Sequence, residues 1–201
     1  MPEVFLASRN AKKLVELERI LGAVVPDLTV LGLDDVAAYD EPVEDAPDFA
    51  GNALLKARAG FAVSGRPTLA DDSGLCVDAL NGMPGVLSAR WSGPPKDDDR
   101  NNRLLLAQLE DVPDERRGAY FVSVVAFVHA GGEIVVEGRM DGTVIREVRG
   151  SGGFGYDVLF VADDRPGVTT AELDKDTKDA ISHRGKALRE IAPQVAAVLA
   201  G

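Results

Sequence analysis

The chain has 201 residues, of which 45% are hydrophobic, so it can bury a full core as one domain or as two closely joined lobes. The net charge of −11 argues against a nucleic acid polymer or an anionic membrane as a partner, because both are bound by basic surfaces. Cys76 is the only cysteine, which excludes an internal disulfide, and no set of Cys and His has the spacing of a zinc site. Neither a signal peptide nor a run of membrane-spanning length is evident, so we expect a soluble cytoplasmic protein.

Hydrophobic patterns in the first third of the chain predict an alternation of strands and helices. A short buried strand is expected at 4–7, a helix at 11–21 and a second strand at 28–33. The acidic segment 34–47 contains two prolines and is expected to be a loop. The apolar spacing at 48–64 predicts a second helix.

The middle of the chain predicts a loop, a helix and then a group of strands. The glycine- and proline-rich segment 81–95 is expected to be a long loop, and 97–110 a helix. Strands at 120–128 and 133–137 should form a hairpin, with 143–145 extending the same sheet.

The last predicted element is a helix at 182–199, which Pro193 is expected to bend or split. Early alternation of strands and helices, followed by several strands, is typical of a mixed α/β fold. We therefore expect a single mixed α/β domain over residues 1–201.

The most informative segment is Ala70-Asp71-Asp72-Ser73-Gly74-Leu75. The short apolar run before it is expected to be a strand that ends at the two aspartates. Buried carboxylates are costly unless they bind a cation or exchange a proton, so the pair indicates a metal and water-activation site. Asp-Asp-Ser-Gly is equally good turn chemistry, and the segment alone does not decide between these interpretations.

Glu44, in the acidic loop, is a third carboxylate that could complete an oxygen-rich magnesium site. Magnesium usually takes only one or two protein carboxylates and leaves its other positions to water and phosphate. Taken alone, Glu44 is more simply a solvated loop residue.

Two segments carry lysines where a triphosphate could bind. Ser8-Arg9-Asn10-Ala11-Lys12-Lys13 joins the first predicted strand to the first helix, and backbone N–H groups at a helix start attract phosphate. The segment lacks the glycines of a P-loop, so a capped helix with exposed lysines is the simpler interpretation. Lys56 lies in the middle of the second predicted helix and either faces a cleft or is an ordinary surface lysine.

Two later segments have the chemistry of base recognition. Gly152-Gly153-Phe154-Gly155-Tyr156-Asp157 sets two aromatic residues among three glycines, where a ring can stack on a nucleobase or fill a core at a tight bend. Ser182-His183-Arg184-Gly185-Lys186 opens the last predicted helix, where the helix dipole disfavours cations. That local conflict indicates a functional position, although a solvated helix start is the alternative. The guanidinium of Arg184 suits a carbonyl oxygen or a phosphate.

In this order, these segments resemble the inosine triphosphate pyrophosphatase family, the Ham1-like enzymes of non-standard purine nucleotides. The matching segments span nearly the whole chain: Ser8-Arg9-Asn10 with Lys13, Asn52-Ala53 with Lys56, Ala70 to Leu75, Pro84-Gly85-Val86 with Ser88-Ala89-Arg90-Trp91, Gly152 to Asp157, and Ser182-His183-Arg184-Gly185. Each motif is weak alone, but six in the same order make the resemblance specific.

The resemblance implies hydrolysis of ITP, dITP and XTP between the α and β phosphates. The products would be the monophosphate and pyrophosphate, and the role would be cleansing of the nucleotide pool. Dependence on Mg²⁺, a cytoplasmic location and a homodimer are also implied. The implied fold is an elongated mixed β-sheet flanked by helices, with the active site in a central cleft between two lobes.

The same resemblance implies a role for each matching residue. Asp72 would be the general base for the attacking water and a magnesium ligand, supported by Asp71, and Glu44 would join the metal site. Phe154 would stack on the base, and Arg184 would donate to the purine 6-oxo group, which adenine replaces with a mismatched amino donor. The other implied substrate-binding residues are Ser8, Arg9, Asn10, Ala11, Lys12, Lys13, Lys56, Ser73, Gly155, Tyr156, Asp157, Lys178 and His183.

The chain departs from the family pattern at two positions. Gly51 stands where the family often has Glu before the Asn-Ala pair, which would leave more of the metal binding to Glu44 or to the substrate phosphates. Arg9 stands where a glycine is common. Both changes leave the aspartate pair intact, so we expect an active enzyme.

Two other functions stay open at this point. A Maf-like pyrophosphatase, related in fold, would act on modified or pyrimidine nucleotides, whereas the Phe154 loop and His183-Arg184 favour purines. A non-catalytic nucleotide-binding module is the alternative from another class, and the intact aspartate pair with its lysines argues against it.

Overall fold

The computed structural model describes residues 2–200, except the side chains of residues 11 and 12. The strands are β1 (Glu3–Leu6), β2 (Thr29–Leu31), β3 (Thr68–Val77), β4 (Gly118–His129), β5 (Gly132–Val144) and β6 (Phe160–Ala162). The helices are α1 (Ala11–Gly22), α2 (Phe49–Ser64), α3 (Asp98–Gln108), α4 (Lys175–Ile181) and α5 (His183–Ala200). Short 3₁₀ helices lie at Leu33–Asp35, Asp78–Leu80, Gly85–Arg90, Asp114–Arg116 and Gly155–Leu159.

The strands form one mixed sheet in the order β2-β1-β3-β4-β5-β6. β1 pairs in parallel with both β2 and β3, so that Phe5 lies opposite Leu31 on one side and Thr68 on the other. β4 and β5 are joined by only two residues, which makes them a hairpin, and β5 pairs antiparallel with β6. The predicted α/β class with a mixed sheet is confirmed.

The chain divides into two compact units, and the first consists of residues up to Asp72, Ser123–Glu137 and residues from Lys186 onward. Its hydrophobic core joins one face of each of two helices to the strands, since apolar residues spaced four apart share a helix face. Residues of this core include Val4, Leu6, Leu17, Leu21, Leu69, Phe127, Ile191 and Val195.

The second unit consists of Ser73–Val122 and Gly138–Gly185. Its core is separate and contains Leu75, Val77, Leu105, Leu109, Phe121, Met140, Tyr156, Leu159 and Phe160. Cys76 is buried beside this core, as its apolar surroundings in the sequence predict.

The prediction that a strand ends at the aspartate pair was wrong. β3 continues for ten residues, from Thr68 to Val77, so Asp71 and Asp72 lie in its middle and the turn interpretation fails. Leu75 is fully buried in the second core, and burial of apolar residues on both sides of the pair keeps the backbone extended.

Pro193 does not split the last helix, so that part of the prediction was wrong. α5 runs unbroken from His183 to Ala200 with Pro193 inside it. Pro193 is exposed, whereas Ile191 and Val195 are fully buried, and this packing outweighs the hydrogen bond that proline cannot donate.

Three further elements differ from the sequence prediction. The segment 81–95, expected to be a loop, contains the 3₁₀ helix Gly85–Arg90. β6 and α4 were not predicted, because three residues and seven residues are too short for a clear hydrophobic period. None of the helices described in residues 2–200 is long and apolar enough to span a membrane.

Candidate active site

Neighbouring carboxylates on β3 reach different partners in the first unit, because successive side chains of a strand point to opposite faces. Lys13 Nζ on α1 lies 2.7 Å from Asp71 Oδ1. Asn52 Nδ2 on α2 donates to Asp72 Oδ2 at 3.1 Å, and Lys56 Nζ lies 3.9 Å from Asp72 Oδ1. Each aspartate is therefore fixed by a separate helix.

α2 comes close enough to β3 to hold Asp72 because of a glycine in the helix. A Cβ at Gly60 would lie 2.8 Å from side-chain atoms of both Phe5 and Thr68, so a larger residue would push the helix away. Asn52 and Lys56 are four residues apart and share the helix face that bears on Asp72. Asp48 caps the helix by accepting the Gly51 N–H at 2.7 Å.

The acidic segment before α2 folds back onto this helix. Lys56 Nζ lies 2.6 Å from Glu44 Oε1, and the backbone N–H of Ala46 donates to Asn52 Oδ1 at 3.0 Å. A Cβ at Gly51 would lie 2.5 Å from the Cβ of Ala46, so the missing side chain at this position is what allows the close approach. We name Glu44, Asp71, Asp72, Lys13, Asn52 and Lys56 the aspartate cluster.

Lys56 is not the ordinary surface lysine that the sequence also allowed. The Lys56 side chain is 15% exposed and contacts two carboxylates. Burial of a lysine to this extent is unusual unless its charge is paired, and it keeps the ammonium group beside Asp72.

The segment between β1 and α1 has a tight local fold. Ser8 Oγ accepts the N–H of Asn10 at 3.2 Å. The exposed side chain of Arg9 forms an ion pair with Glu41, and the hydrogen bond to that carboxylate raises the pKa of Arg9. The side chains of Ala11 and Lys12 lie outside the described residues, so their predicted contacts with substrate stay predictions.

In the second unit, the side chain of Phe154 is exposed between two cations. The Phe154 residue is 53% exposed, and its ring centroid lies 5.5 Å from Lys178 Nζ and 6.0 Å from Arg184 Cζ. Arg184 Nη2 donates to Ser73 Oγ at 3.2 Å. We name Ser73, Phe154, Lys178 and Arg184 the aromatic cluster, whose open ring and flanking donors suit a flat polar ligand.

Asp157 holds the aromatic cluster from beneath. Its Oδ2 accepts from the Phe154 N–H at 2.8 Å and from Lys178 Nζ at 2.5 Å, while its Oδ1 accepts from Thr170 Oγ1 at 2.8 Å. Asp157 is buried, and both of its oxygens are engaged by protein groups. Asp157 therefore fixes both the backbone of Phe154 and the ammonium group of Lys178.

Tyr156 lies in the second core, and the backbone of Gly155 is hydrogen-bonded to Asp98 and Asn102. Tyr156 is buried, and its hydroxyl donates to the Ser88 carbonyl at 2.9 Å. Burial and the nearby charge of Asp98 raise the pKa of Tyr156, so the phenol stays protonated for that hydrogen bond. Of the two aromatic residues in the loop, Tyr156 is a core residue and Phe154 is not.

His183 is fixed at the start of α5 by ring packing. Its imidazole stacks on Phe121 with ring centroids 5.0 Å apart. Ser182 Oγ accepts the N–H of Gly185 at 3.0 Å, which caps the helix and fixes the first turn that carries His183 and Arg184.

The sequence predicted most members of both clusters as site residues but not the side chains that form hydrogen bonds to them or to their loops. Asn52 lies four residues before Lys56, and this spacing could have identified it as a partner on the same helix face. Glu41, Asp98 and Asn102 gave no such signal, because their partners lie far away in the chain.

The donor set of the aspartate cluster fits a hard cation. Within residues 2–200, no three His, Cys, Asp or Glu side chains are grouped as a metal site. Glu44 and Asp72 nevertheless both contact one ammonium group, that of Lys56, so two carboxylates already converge on a single positive charge. One or two carboxylates are what magnesium usually takes from a protein when phosphates and water complete its shell.

The family model described as the Ham1 family matches residues 4–194. A dITP/XTP pyrophosphatase from Nocardia farcinica is 60% identical over 98% of this chain and 97% of that protein. One from Mycolicibacterium paratuberculosis is 58% identical over 96% of this chain and 95% of that protein.

Solved structures with the same fold are also similar in sequence. The nucleoside-triphosphatase / dITP/XTP pyrophosphatase from Mycobacterium abscessus is 53% identical, with a TM-score of 0.80 over 95% of this chain and 99% of that chain. The Ham1 protein from Staphylococcus aureus is 33% identical, with a TM-score of 0.88 over 98% of this chain and 99% of that chain. With a family match over nearly its whole length and relatives of this identity, the chain belongs to the Ham1 family.

Proposed function

We propose that this protein is a nucleoside triphosphate pyrophosphatase that hydrolyses the deaminated purine nucleotides ITP, dITP and XTP to the monophosphate and pyrophosphate. The observation that carries the proposal is the aspartate cluster, in which Asp72 is held by Asn52 and Lys56. Relatives that align with nearly the whole chain are named dITP/XTP pyrophosphatases, which supports the same reaction and substrate class.

Asp72 acts as the general base in this proposal. It accepts a proton from the attacking water, whose oxygen bonds to phosphorus as the α–β anhydride bond breaks and pyrophosphate leaves. The hydrogen bond from Asn52 to Oδ2 fixes the carboxylate that orients the water. Phosphoryl chemistry of this kind needs positioning and charge neutralisation rather than a covalent nucleophile.

Lysines and polar groups of the first unit bind the triphosphate. Lys13 and Lys56 supply positive charge beside the two aspartates, and Ser8, Arg9 and Asn10 supply donors at the start of α1. Exposed Arg9 can exchange its ion pair with Glu41 for a phosphate oxygen, since both partners are anionic acceptors.

Asp72 and Glu44 would hold magnesium in this proposal. When bound, the ion would neutralise the phosphate oxygens and favour departure of pyrophosphate. The convergence of both carboxylates on the Lys56 ammonium group supports the assignment, because that ammonium group marks where a positive charge is stable.

The aromatic cluster binds the base. Phe154 stacks on the purine, and Arg184 donates to the 6-oxo group that hypoxanthine and xanthine share. Adenine presents an amino donor at that position, and two facing donors cost affinity. Lys178 and His183 complete the recognition, and Ser73 fixes Arg184 by hydrogen bonding.

A homodimer and a cytoplasmic location belong to the same proposal and rest on the family resemblance. Light scattering at several protein concentrations tests the dimer directly. A monomer at all concentrations would remove the dimer from the proposal without affecting the reaction.

The test of the function is pyrophosphate release from ITP, XTP, GTP, ATP, UTP and dTTP, each with magnesium and with a chelator. We expect fast release from ITP and XTP that the chelator abolishes. A clear preference for UTP or dTTP would contradict the purine assignment and favour a Maf-like activity. Nucleotide binding without turnover in magnesium would contradict the enzyme assignment altogether.

A further inference from the structure

The backbone of Gly155 is held on both of its polar atoms by α3. Asp98 Oδ2 accepts the Gly155 N–H at 2.8 Å, and Asn102 Nδ2 donates to the Gly155 carbonyl at 3.0 Å. Asp98 and Asn102 are four residues apart, so they project from one face of the helix. One helix face therefore grips both sides of a single loop residue.

The contacts with Gly155 add to the hydrogen bond from the Phe154 N–H to Asp157, in a loop whose glycines leave the backbone free to turn. Gly153 and Gly155 have positive φ angles of 76° and 61°, in a region that glycine enters and leaves freely. Phe154 lies between them, and since it is 53% exposed its ring is not held by packing on all sides. The direction of the ring is thus set mainly by the backbone on either side of it.

The position of Asp98 in the first turn of α3 has a simpler partial explanation. Carboxylates in a first turn interact favourably with the helix dipole, and both Asp98 and Asp99 lie there. Asp99 is exposed, whereas Asp98 is half-buried and binds a backbone N–H that lies 57 residues further along the chain. The dipole explains a carboxylate in this turn but not the contact that Asp98 makes.

We propose that Asp98 and Asn102 are positioning residues that hold Phe154 in the orientation in which its ring stacks on the base. The inference rests on the proposed function for what the ring binds, and on the two hydrogen bonds for how the ring is held. Both residues act through the backbone of Gly155.

The role predicts a particular pattern of kinetic change. Freeing Gly155 weakens stacking, which any purine uses, but leaves the donor of Arg184 and the aspartate cluster in place. KM should therefore rise by a similar factor for ITP and ATP, while kcat and the preference for ITP over ATP stay the same. A merely structural role would lower the amount of folded enzyme and hence the apparent kcat.

The experiment compares Asp98→Ala and Asn102→Ser with the matched control Asp99→Ala, which makes the same chemical change one residue away. We expect KM for ITP to rise about fivefold to tenfold in the first two variants, because a hydrogen bond to the backbone of Gly155 is lost in each. Titration calorimetry should show the affinity for inosine monophosphate falling by the same factor and the affinity for inorganic pyrophosphate, which has no base, unchanged. Asp99→Ala should behave as the wild type.

Several outcomes would overturn the inference. They are an unchanged KM in Asp98→Ala, an equal change of KM in Asp99→Ala, and a loss of pyrophosphate binding that matches the loss of inosine monophosphate binding. Amide hydrogen exchange at Gly155 supplies a readout that needs neither substrate nor turnover, and equal protection of this amide in wild type and Asp98→Ala contradicts the proposed hold on Gly155. Absence of ITP hydrolysis by the wild type would instead remove the proposed function, and the exchange measurement would still judge how Gly155 is held.

Discussion

The aspartate cluster and the aromatic cluster are fixed in opposite ways. In the first, charged side chains hold one another: Lys13 bonds to Asp71, and Lys56 contacts both Asp72 and Glu44. In the second, the key side chain is an exposed ring, and hydrogen bonds to the surrounding backbone hold it. Charged side chains thus fix one another in the aspartate cluster, whereas hydrogen bonds to the main chain fix the exposed ring of the aromatic cluster.

This difference follows from what each cluster has to present to a ligand. Charged groups that are largely removed from water interact strongly, so partners within a few ångströms fix them well. A ring that must stack on a ligand has to keep one face open, and it cannot be held by burial of that face. The loop around Phe154 accordingly depends on Asp157, Asp98 and Asn102, each of which binds its backbone.

The sharpest test of this contrast is Asp72→Asn. The change removes the proposed base but keeps the shape of the side chain, so turnover of ITP should fall by about 10²- to 10⁴-fold while nucleotide binding is largely retained. Pyrophosphate release and inosine monophosphate binding measure the two quantities separately. Asp78→Asn, the same change just beyond the end of β3, is the control and should leave the rate unchanged. A near-normal rate in Asp72→Asn would refute the role of general base.

A substitution in the aromatic cluster should have the converse effect. Phe154→Ala removes the stacking surface, which is worth about 1–3 kcal/mol per base, so KM for ITP should rise about 10-fold or more with little change in kcat. Phe154→Tyr keeps the ring and should keep KM close to the wild-type value. A fall in kcat without a rise in KM would show that the ring acts in the chemical step and would remove the distinction between the clusters.

Arg184→Ala tests whether the aromatic cluster also reads the identity of the base. Loss of the donor to the 6-oxo group should narrow the preference for ITP over ATP by about 10-fold, mostly through weaker use of ITP. The ratio of kcat/KM for the two nucleotides is the measurement. Arg184→Lys, which keeps the charge but not the planar donor fork, should lie between wild type and Arg184→Ala. An unchanged ratio in Arg184→Ala excludes this residue as the reader of the base.

The two clusters also differed in how much of them the sequence could predict. The glycine-rich segment around Phe154 was noticeable in the sequence, but it fitted a stacking ring and a core ring equally well, and only the structure shows that Phe154 is exposed and Tyr156 buried. The aspartate pair could be picked out as a candidate site from its adjacent carboxylates. Its place in the middle of β3 could not be predicted, since Asp-Asp-Ser-Gly is typical of a turn. The buried residues beyond the pair, such as Leu75, decide for the strand, and only the folded core shows that burial.

Partners across long stretches of chain lay outside what sequence patterns can show. Lys13 and Asp71 are 58 residues apart, and no spacing rule links them before β1 and β3 are known to be parallel neighbours. Asp and Asn are common residue types near a helix start, so the sequence gives no reason to single out Asp98 and Asn102. Only the folded structure shows that they bind the backbone of Gly155. The α/β class, by contrast, follows from alternating hydrophobic segments, and that prediction is confirmed.

An exposed ion pair in the first unit serves as a comparison for the more buried ion pairs of the aspartate cluster. Arg58 forms two hydrogen bonds of 2.7 Å to Glu133, but the side chains are 55% and 37% exposed. The hydrogen bond from Arg58 lowers the pKa of Glu133 from the ordinary value of 4.5.

Glu133→Gln should therefore produce the smallest effect of all, a loss of about 0.5 kcal/mol or less in the free energy of unfolding at neutral pH, because water screens exposed pairs. A carboxylate whose pKa is lower in the folded than in the unfolded protein stabilises the fold at pH values above the unfolded-state pKa. This stabilisation is lost as the pH falls through the folded-state pKa. Urea unfolding of wild type and variant at pH 7 and at pH 3 measures the difference, which should shrink in acid. A difference of several kcal/mol, or one that grows in acid, would mean that exposed ion pairs stabilise this protein as strongly as buried ones do. Burial would then not explain how the aspartate cluster is fixed, and the contrast between the two clusters would fail.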